Sequence, residues 1–399
     1  MLPPSITKLG DYAFYTCTNL KNVVIPNKVT SIGERTFGLC SNLNSITFLC
    51  DDMIPPANIN QEQNKVAFDA TMFPNIDIHV RKEKLTEYQN ETFYNQFKSI
   101  TPSFASGTEE YIKVSENAVS LLSTTSGNST FVVPKSVDYS GATYNVSMIG
   151  DYCLQNAPAT MKEVVVSENV GYIGANAFIN EGKTIKDIFF LPTTASADVL
   201  STKQFELTSD YNEFASDQNI YVKQSVVNAY KAAWADYASQ INYQIPFKSD
   251  NSTPVIATRF GTFSREFDVD ISDNNTMTAS GKPAVVAYTG MIEKVTNDKG
   301  TFIRMSSINC GASDGTDGTY IPANTGVLLE GNVYNEAQGV SQSPKDFTYY
   351  KIGEKEISPP ENNVMACVTE RSQTIKGKED GYYNYIISQG KYWSLDNEQ

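Results

Sequence analysis

The chain has 399 residues, 40% of them hydrophobic, and a formal charge of −14 from 31 basic and 45 acidic side chains; that length suffices for about two to four domains with real cores. Residues 1–103 carry 9 basic and 10 acidic groups, 104–247 carry 8 and 15, and 248–399 carry 14 and 20, so no segment has the basic footprint of a nucleic-acid binder, and the acidic surface repels anionic membranes. No run of about 18 apolar residues exists to span a bilayer, and six cysteines without a C-x-x-C are too few for a disulfide scaffold.

From its first residues the chain repeats itself. Pro3, Ile6, Leu9, Gly10, Phe14 and Cys17 recur 23 residues later as Pro26, Val29, Ile32, Gly33, Phe37 and Cys40, and Leu20, Val23 and Ile25 recur as Leu43, Ile46 and Phe48. A period of about 20–29 residues with an L-x-x-L-x-L core is a leucine-rich repeat pattern. The alternation of Val23 and Ile25 predicts a short strand that turns both to one face. Pro26, which lacks an N–H and has a fixed φ, ends it. Val29, Ile32, Phe37, Cys40 and Leu43 then fit a helical or 3-10 return, with Gly33 supplying backbone freedom. One coil cannot bury its own apolar side, so coils must stack. Stacking predicts that Cys17 and Cys40 are small buried free thiols in successive coils. Because Met1 is followed at once by Pro3 and Pro4 of a repeat, the chain is expected to lack upstream residues, including any export signal.

Two runs carry a resemblance: L-P-P-S-I-T-K-L-G-D-Y-A-F-Y-T-C-T-N-L, residues 2–20, and I-P-N-K-V-T-S-I-G-E-R-T-F-G-L-C-S-N-L, residues 25–43. They resemble the BspA-like leucine-rich repeats of surface proteins from anaerobic gut and oral bacteria. The resemblance implies an exported, non-catalytic protein, on the cell surface or extracellular, without a cofactor. It would bind or adhere to host proteins, glycans or other cells.

Residues 49–77 lose the pattern, then I-H-V at 78–80 predicts a strand and residues 81–97 an amphipathic helix through Leu85, Tyr88, Phe93 and Phe97. Such a helix caps the end of a coil stack. The same plan returns downstream. Met161, Val164, Val166, Val170, Ile173, Gly174 and Phe178 lie 141 residues after Leu20, Val23, Ile25, Val29, Ile32, Gly33 and Phe37. Ile188, Phe190, I-Y-V at 220–222, Val227 and Tyr230 lie 142 after their counterparts. T-P-S-F-A-S-G-T, residues 101–108, reads as a linker or turn between the copies. From about residue 248 the repeat gives way to β-rich runs: F-G-T-F-S-R-E-F-D-V-D-I, P-A-V-V-A-Y-T, T-F-I-R-M, G-V-L-L-E-G, F-T-Y-Y-K-I, N-V-M-A-C-V and Y-N-Y-I-I-S-Q-G-K-Y-W-S-L. A closing strand after Gln399 is expected to be missing. The expected fold is α+β. Two short leucine-rich-repeat solenoid modules with helical caps, residues 1–103 and 104–247, precede an all-β, sandwich-like C-terminal domain, 248–399.

Chemistry is sparse. His79 is the only histidine, and its duplicated counterpart is Tyr221, which argues against Ser-His-Asp, Cys-His and histidine-metal sites. S-D-G-T-D-G-T, residues 313–319, offers carboxylates in a tight turn but lacks EF-hand spacing and reads as an ordinary turn. The candidate binding residues are the aromatics Tyr382, Tyr383, Tyr385, Tyr392 and Trp393, with Tyr349 and Tyr350. Such rings anchor a protein or stack on a sugar, and they serve equally as cross-strand pairs in a hairpin turning near Gly390. No catalytic, cofactor or metal residues are assigned. The readings that follow are a protein- or glycan-binding surface protein, a carbohydrate-binding or carbohydrate-active protein acting through residues 248–399, or a structural spacer.

Overall fold

The computed structural model describes residues 2–3, 6–59, 66–193, 214–246, 260–274, 285–293, 302–308, 320–331, 334–335, 340–341, 349–354, 378–379, 382–383, 385–388 and 391–394. Strands dominate, with few short helices, in keeping with a leucine-rich repeat. Each repeat lays one short strand beside its neighbour's. Asn22–Ile25, Ser45–Phe48, Asp77–Val80 and Ser99–Pro102 pair in parallel, with Val23, Ile46, Ile78 and Ile100 in one row. Alternation sends Val23, Ile25, Ile46, Phe48, Ile78 and Val80 into a common core. A second parallel sheet is formed by Thr130–Val132, Glu163–Val166, Asp187–Phe190, Asn219–Val222 and Ile241–Asn242. Its core rows are Val164, Ile188 and Ile220, then Val166, Phe190 and Val222.

The return segments are not helices. Residues 11–16 and 34–39 form consecutive turns, because alternate backbone N–H groups have different destinations. Ala13, Tyr15 and Cys17 donate back to Gly10, Tyr12 and Phe14, whereas Tyr12, Phe14 and Thr16 donate across to Glu34, Thr36 and Gly38 of the next coil. That alternation requires left-handed backbone at fixed places: φ is 57° at Tyr12, 46° at Arg35, 55° at Tyr152 and 53° at Asn176, four equivalent positions. A helix would aim every N–H along its own axis and leave the coils unjoined.

Residues 49–59 and 66–77, where the sequence pattern fades, belong to a third coil. Phe14, Phe37 and Phe68 stack with centroids 5.5 and 5.1 Å apart, and the N–H groups of Arg35 and Phe37 reach Val66 and Ala67. Phe178 and Phe214 repeat the stack at 5.4 Å. The helical stretches are short: Leu85–Asn90 and Val227–Ala233, each flanked by 3-10 turns. They bury Tyr88, Phe93, Tyr94 and Phe97 in the first core and Tyr230, Trp234 and Tyr237 in the second.

Residues 101–108, expected as a linker or turn, turn only at 107–108 and are otherwise strand backbone apart from Ser103. Ser99–Pro102 closes the first sheet and Phe104–Ser106 opens another, with only Ser103 between. Ser103 is buried. Its N–H donates to Val80 O at 2.7 Å and its Oγ to Glu110 Oε1 at 2.6 Å. The sheet so begun runs through Glu109–Lys113, Ala118–Thr124, Ala142–Ile149 and Ser136–Tyr139, with Tyr172–Ile173 beside Ala142–Ile149, and apart from the repeat position Ile173 it is not among the expected elements. It has two apolar faces. Tyr111, Val119 and Leu121 enter the second core. Ile112, Val114 and Leu122 meet Leu49, with Val24 packed alongside.

Beyond residue 244 the described strands pair antiparallel. Phe260–Phe263, Val327–Gly331, Val285–Glu293 and Phe302–Ser307 form one sheet, and Ile245–Pro246, Tyr349–Ile352, Val269–Asp270 and Tyr320–Ile321 another. N-V-M-A-C-V, S-D-G-T-D-G-T, Cys310 and Cys367 lie outside the described residues.

Candidate interaction surfaces

A parallel repeat sheet has one face in the core and one facing outward, and the outward face is the natural place to look for a partner. In the first sheet that face presents Asn22, Val24, Thr47, His79 and Thr101; in the second, Glu163, Val165, Phe189 and Tyr221 occupy the positions of Asn22, Val24, Thr47 and His79. Both faces are covered by the segment that follows them in the chain.

The first is covered by the hairpin Glu109–Lys113 and Ala118–Thr124. Thr47 Oγ1 donates to the Lys113 carbonyl at 2.7 Å, and Lys82 Nζ lies 2.9 Å from Glu110 Oε2. His79 is buried here and shares a 2.5 Å hydrogen bond with Thr101 Oγ1. Burial, and then the nearby Lys113 charge, lower its pKa to about 4 against a smaller opposing pull from Asp77. It is therefore a neutral packing residue at pH 7.

The second face is covered by the residues around 265–271 and 349–352. Val165, Phe189, Leu191 and Tyr221 join Phe267, Val269, Ile271, Tyr350 and Ile352 in one buried cluster. At its rim the Arg265 side chain, 13% exposed, grips Glu163 through both carboxylate oxygens at 3.0 and 3.4 Å. The guanidinium lies 4.6 Å from the Phe189 ring centroid and 5.1 Å from that of Phe267, a cation over two aromatic faces. Burial raises the pKa of the neighbouring Glu266, and Arg265, 3.4 Å away, opposes that rise. A second clamp joins Lys351 to Asp270 at 3.1 Å, Asp273 at 2.7 Å and Gln224 at 3.0 Å, and Glu354 accepts both the N–H and the Oγ–H of Ser225.

Of the aromatics singled out in the sequence, Tyr350 is 4% exposed inside that cluster, with its ring 5.1 Å from Phe263. Tyr349 is half-buried, and its OH donates to Asp273 at 2.9 Å. The backbone pairs Tyr382–Tyr383 with Lys378–Glu379, and Tyr385–Ser388 with Lys391–Ser394, so that Tyr392 stands opposite Ile387 and Trp393 opposite Ile386. The two sets are not brought together by any pairing among the described residues.

The surface that sequence reasoning missed is the edge of return turns. Tyr12 and Leu39 are each 49% exposed and Tyr152 is 36% exposed, all three at positive φ. Tyr12 packs edge-on to Tyr15 at 5.4 Å. Next to Tyr12 in the chain, Asp11 lines an open cavity of about 390 Å³ together with Lys8, Ser31, Ile32 and Asn58. The recurring Gly-Asp-Tyr of residues 10–12 and 150–152 was the available signal. Among the described residues no group of histidine, cysteine and carboxylate side chains could hold a metal ion, and no helix is long and apolar enough to cross a membrane.

Residues 1–119 and 111–184 match the family described as BspA type leucine rich repeat region, in six copies. No curated protein matches the chain. A leucine rich cell surface protein from Faecalibacterium prausnitzii A2-165 is similar over 31% of this chain and 27% of its own, with 20% identity and a TM-score of 0.21. A leucine-rich repeat protein from Bacteroides capillosus ATCC 29799 is similar over 30% of this chain and 98% of its own, with 19% identity and a TM-score of 0.22. The chain thus spans about a quarter of the first of these relatives.

Proposed function

Because residues 1–184 belong to the BspA-type leucine-rich repeat family, we propose that this chain is a non-catalytic binding protein displayed outside the cell. It attaches to a host protein, glycan or neighbouring cell through the return edge of its repeats. The one observation that carries the placement is that Tyr12, Leu39 and Tyr152, three of the five exposed large apolar side chains among the described residues, lie on that edge while both outward sheet faces are covered. The other two, Val132 and Tyr139, lie on strands. Exposed tyrosine rings anchor protein interfaces where they gather with other apolar side chains into a patch. In this reading residues 1–103 and 104–247 are two capped repeat modules and 248–399 an all-β, sandwich-like domain. Tyr349, Tyr382, Tyr383, Tyr385, Tyr392 and Trp393 belong to that domain's own candidate contact surface. The test is capture of the purified chain on arrays of matrix proteins and glycans, in parallel with a Tyr12→Ser, Leu39→Ser, Tyr152→Ser variant. Retained binding by the variant would remove the return edge as the site, and absence of binding to any class would remove adhesion.

A further inference from the structure

The two outward faces are built at the same positions of duplicated sheets, yet they receive different plugs. We propose that they are paired docking sockets, each keyed to one unit of this same chain, and that Asn22, Thr47 and His79 on the first and Glu163, Phe189 and Tyr221 on the second decide which unit seats where. The positions correspond one to one at offsets of 141 and 142 residues.

The chemistry of each seat suits only its own plug. The first receives a backbone: the Lys113 carbonyl ends on the Thr47 hydroxyl, and Ile112, Val114 and Leu122 supply the apolar contact. The second receives a guanidinium. Arg265 needs a carboxylate to pair with and a ring to lie on, and it finds Glu163 and Phe189, the latter stacked on Tyr221 at 5.3 Å. Set against the first socket, Arg265 would meet Asn22 and Thr47, which offer no carboxylate, and would exchange its two-point pairing with Glu163 for its chain neighbour Glu266 alone. Set against the second, the Lys113 carbonyl would meet Phe189 and lose its donor. Each mismatch is penalised, so selection works by rejection as well as by fit. Tandem copies in one chain are prone to docking on the wrong neighbour during folding, and this divergence removes that trap. The same occupancy excludes an outside ligand from either sheet face, whatever the chain binds.

Hydrogen exchange by mass spectrometry on the full chain tests the assignment. In the Glu163→Asn, Phe189→Thr, Tyr221→His variant, exchange in Val269–Asp270 and Tyr349–Ile352 should rise by about tenfold or more as those strands lose their seat. Asp77–Val80 should stay at the wild-type rate. Arg265→Glu and Glu163→Arg should each have the same effect, and the two combined should return the C-terminal strands towards wild type. Wild-type exchange in the triple and single variants, or a double variant no better protected than the singles, would overturn the proposal. If the triple variant instead exchanges rapidly throughout 163–222, the second sheet has itself failed. The ratio of C-terminal to second-sheet exchange in the charge-exchanged set then decides.

Discussion

A Cβ placed on Gly33 would lie 2.4 Å from Oδ1 of Asp11 and 2.6 Å from its backbone nitrogen. The same near-collision recurs between Gly174 and Asp151, at 2.4 Å. In both stacks the aspartate reaches over to the next coil and accepts its N–H, from Glu34 at 2.7 Å and from Ala175 at 2.8 Å. The glycine is thus required for close approach between coils, where the sequence reading had invoked backbone freedom. Gly33→Ala should destabilise the chain by about 1–3 kcal/mol through overpacking. Because the Asp11 backbone is also in the way, adding Asp11→Ala should not restore it. Thermal midpoints of the single and double variants check this, and rescue by Asp11→Ala would show that only the side chain was in conflict.

Leu39 is exposed and held at φ 60°. A leucine loses about 1–2 kcal/mol in left-handed backbone, whereas asparagine tolerates it through local hydrogen bonding. The bond from Leu39 N–H to Asp69 Oδ2 at 2.8 Å uses only the backbone and survives the change. Leu39→Asn should therefore raise stability by about 1 kcal/mol while weakening any partner held by the return edge. Urea midpoints and capture assays on one preparation measure both. A neutral or lower midpoint would mean that Leu39 packs better than its exposure indicates.

These two residues mark what was legible in the sequence. A fixed period of 23 exposed the strands, the glycine and the phenylalanine ladder, because each coil puts the same side chain at the same depth. The helical return was misread because spacing of three fits a helix as well as it fits turns that alternate between inward and cross-coil hydrogen bonds. Phe68 was hidden because it follows Phe37 by 31 residues, an insertion that shifts the count without moving the ring. The hairpin Glu109–Lys113 and Ala118–Thr124 escaped because both its faces are buried, which erases the alternation that announces a half-exposed strand. The Arg265 and Glu163 pair joins residues 102 apart, and no local pattern encodes it.

Equivalent cysteines should react differently. Cys17 is an exposed free thiol on the outermost described coil, which corrects the expectation that it is buried. Cys40 is buried, with Sγ 3.0 Å from the Phe14 carbonyl. Burial raises the thiol pKa of Cys40, lifts that of Cys50 to about 12 and pushes Cys153 upward too, which suppresses the reactive thiolate. Brief treatment of native protein with a maleimide should label Cys17 and spare Cys40, Cys50 and Cys153 until denaturant is added. Peptide mapping reads the sites directly, and native labelling of Cys40 at the rate of Cys17 would contradict the packing of the second coil.

His79 makes the first joint sensitive to acid. Its neighbours are Asp77 and Thr101 on its own sheet and Lys113 on the covering hairpin, and its pKa falls from the ordinary 6.5 to about 4. With the folded value depressed, the unfolded chain binds the proton first as pH drops. The contribution is complete above about pH 6.5, declines through the window between the two values, and below pH 4 has cost about 3 kcal/mol relative to neutral pH. Glutamine at this position keeps a hydrogen-bonding group near Thr101 and cannot titrate. The stability difference between wild type and His79→Gln should therefore shift against wild type as pH is lowered from 7 to 4.5, with carboxylate effects cancelling in the comparison. Urea unfolding of both proteins at several pH values measures it. Two curves that stay parallel over that range would mean that the histidine is solvated well enough to titrate normally, and that the joint does not bury it.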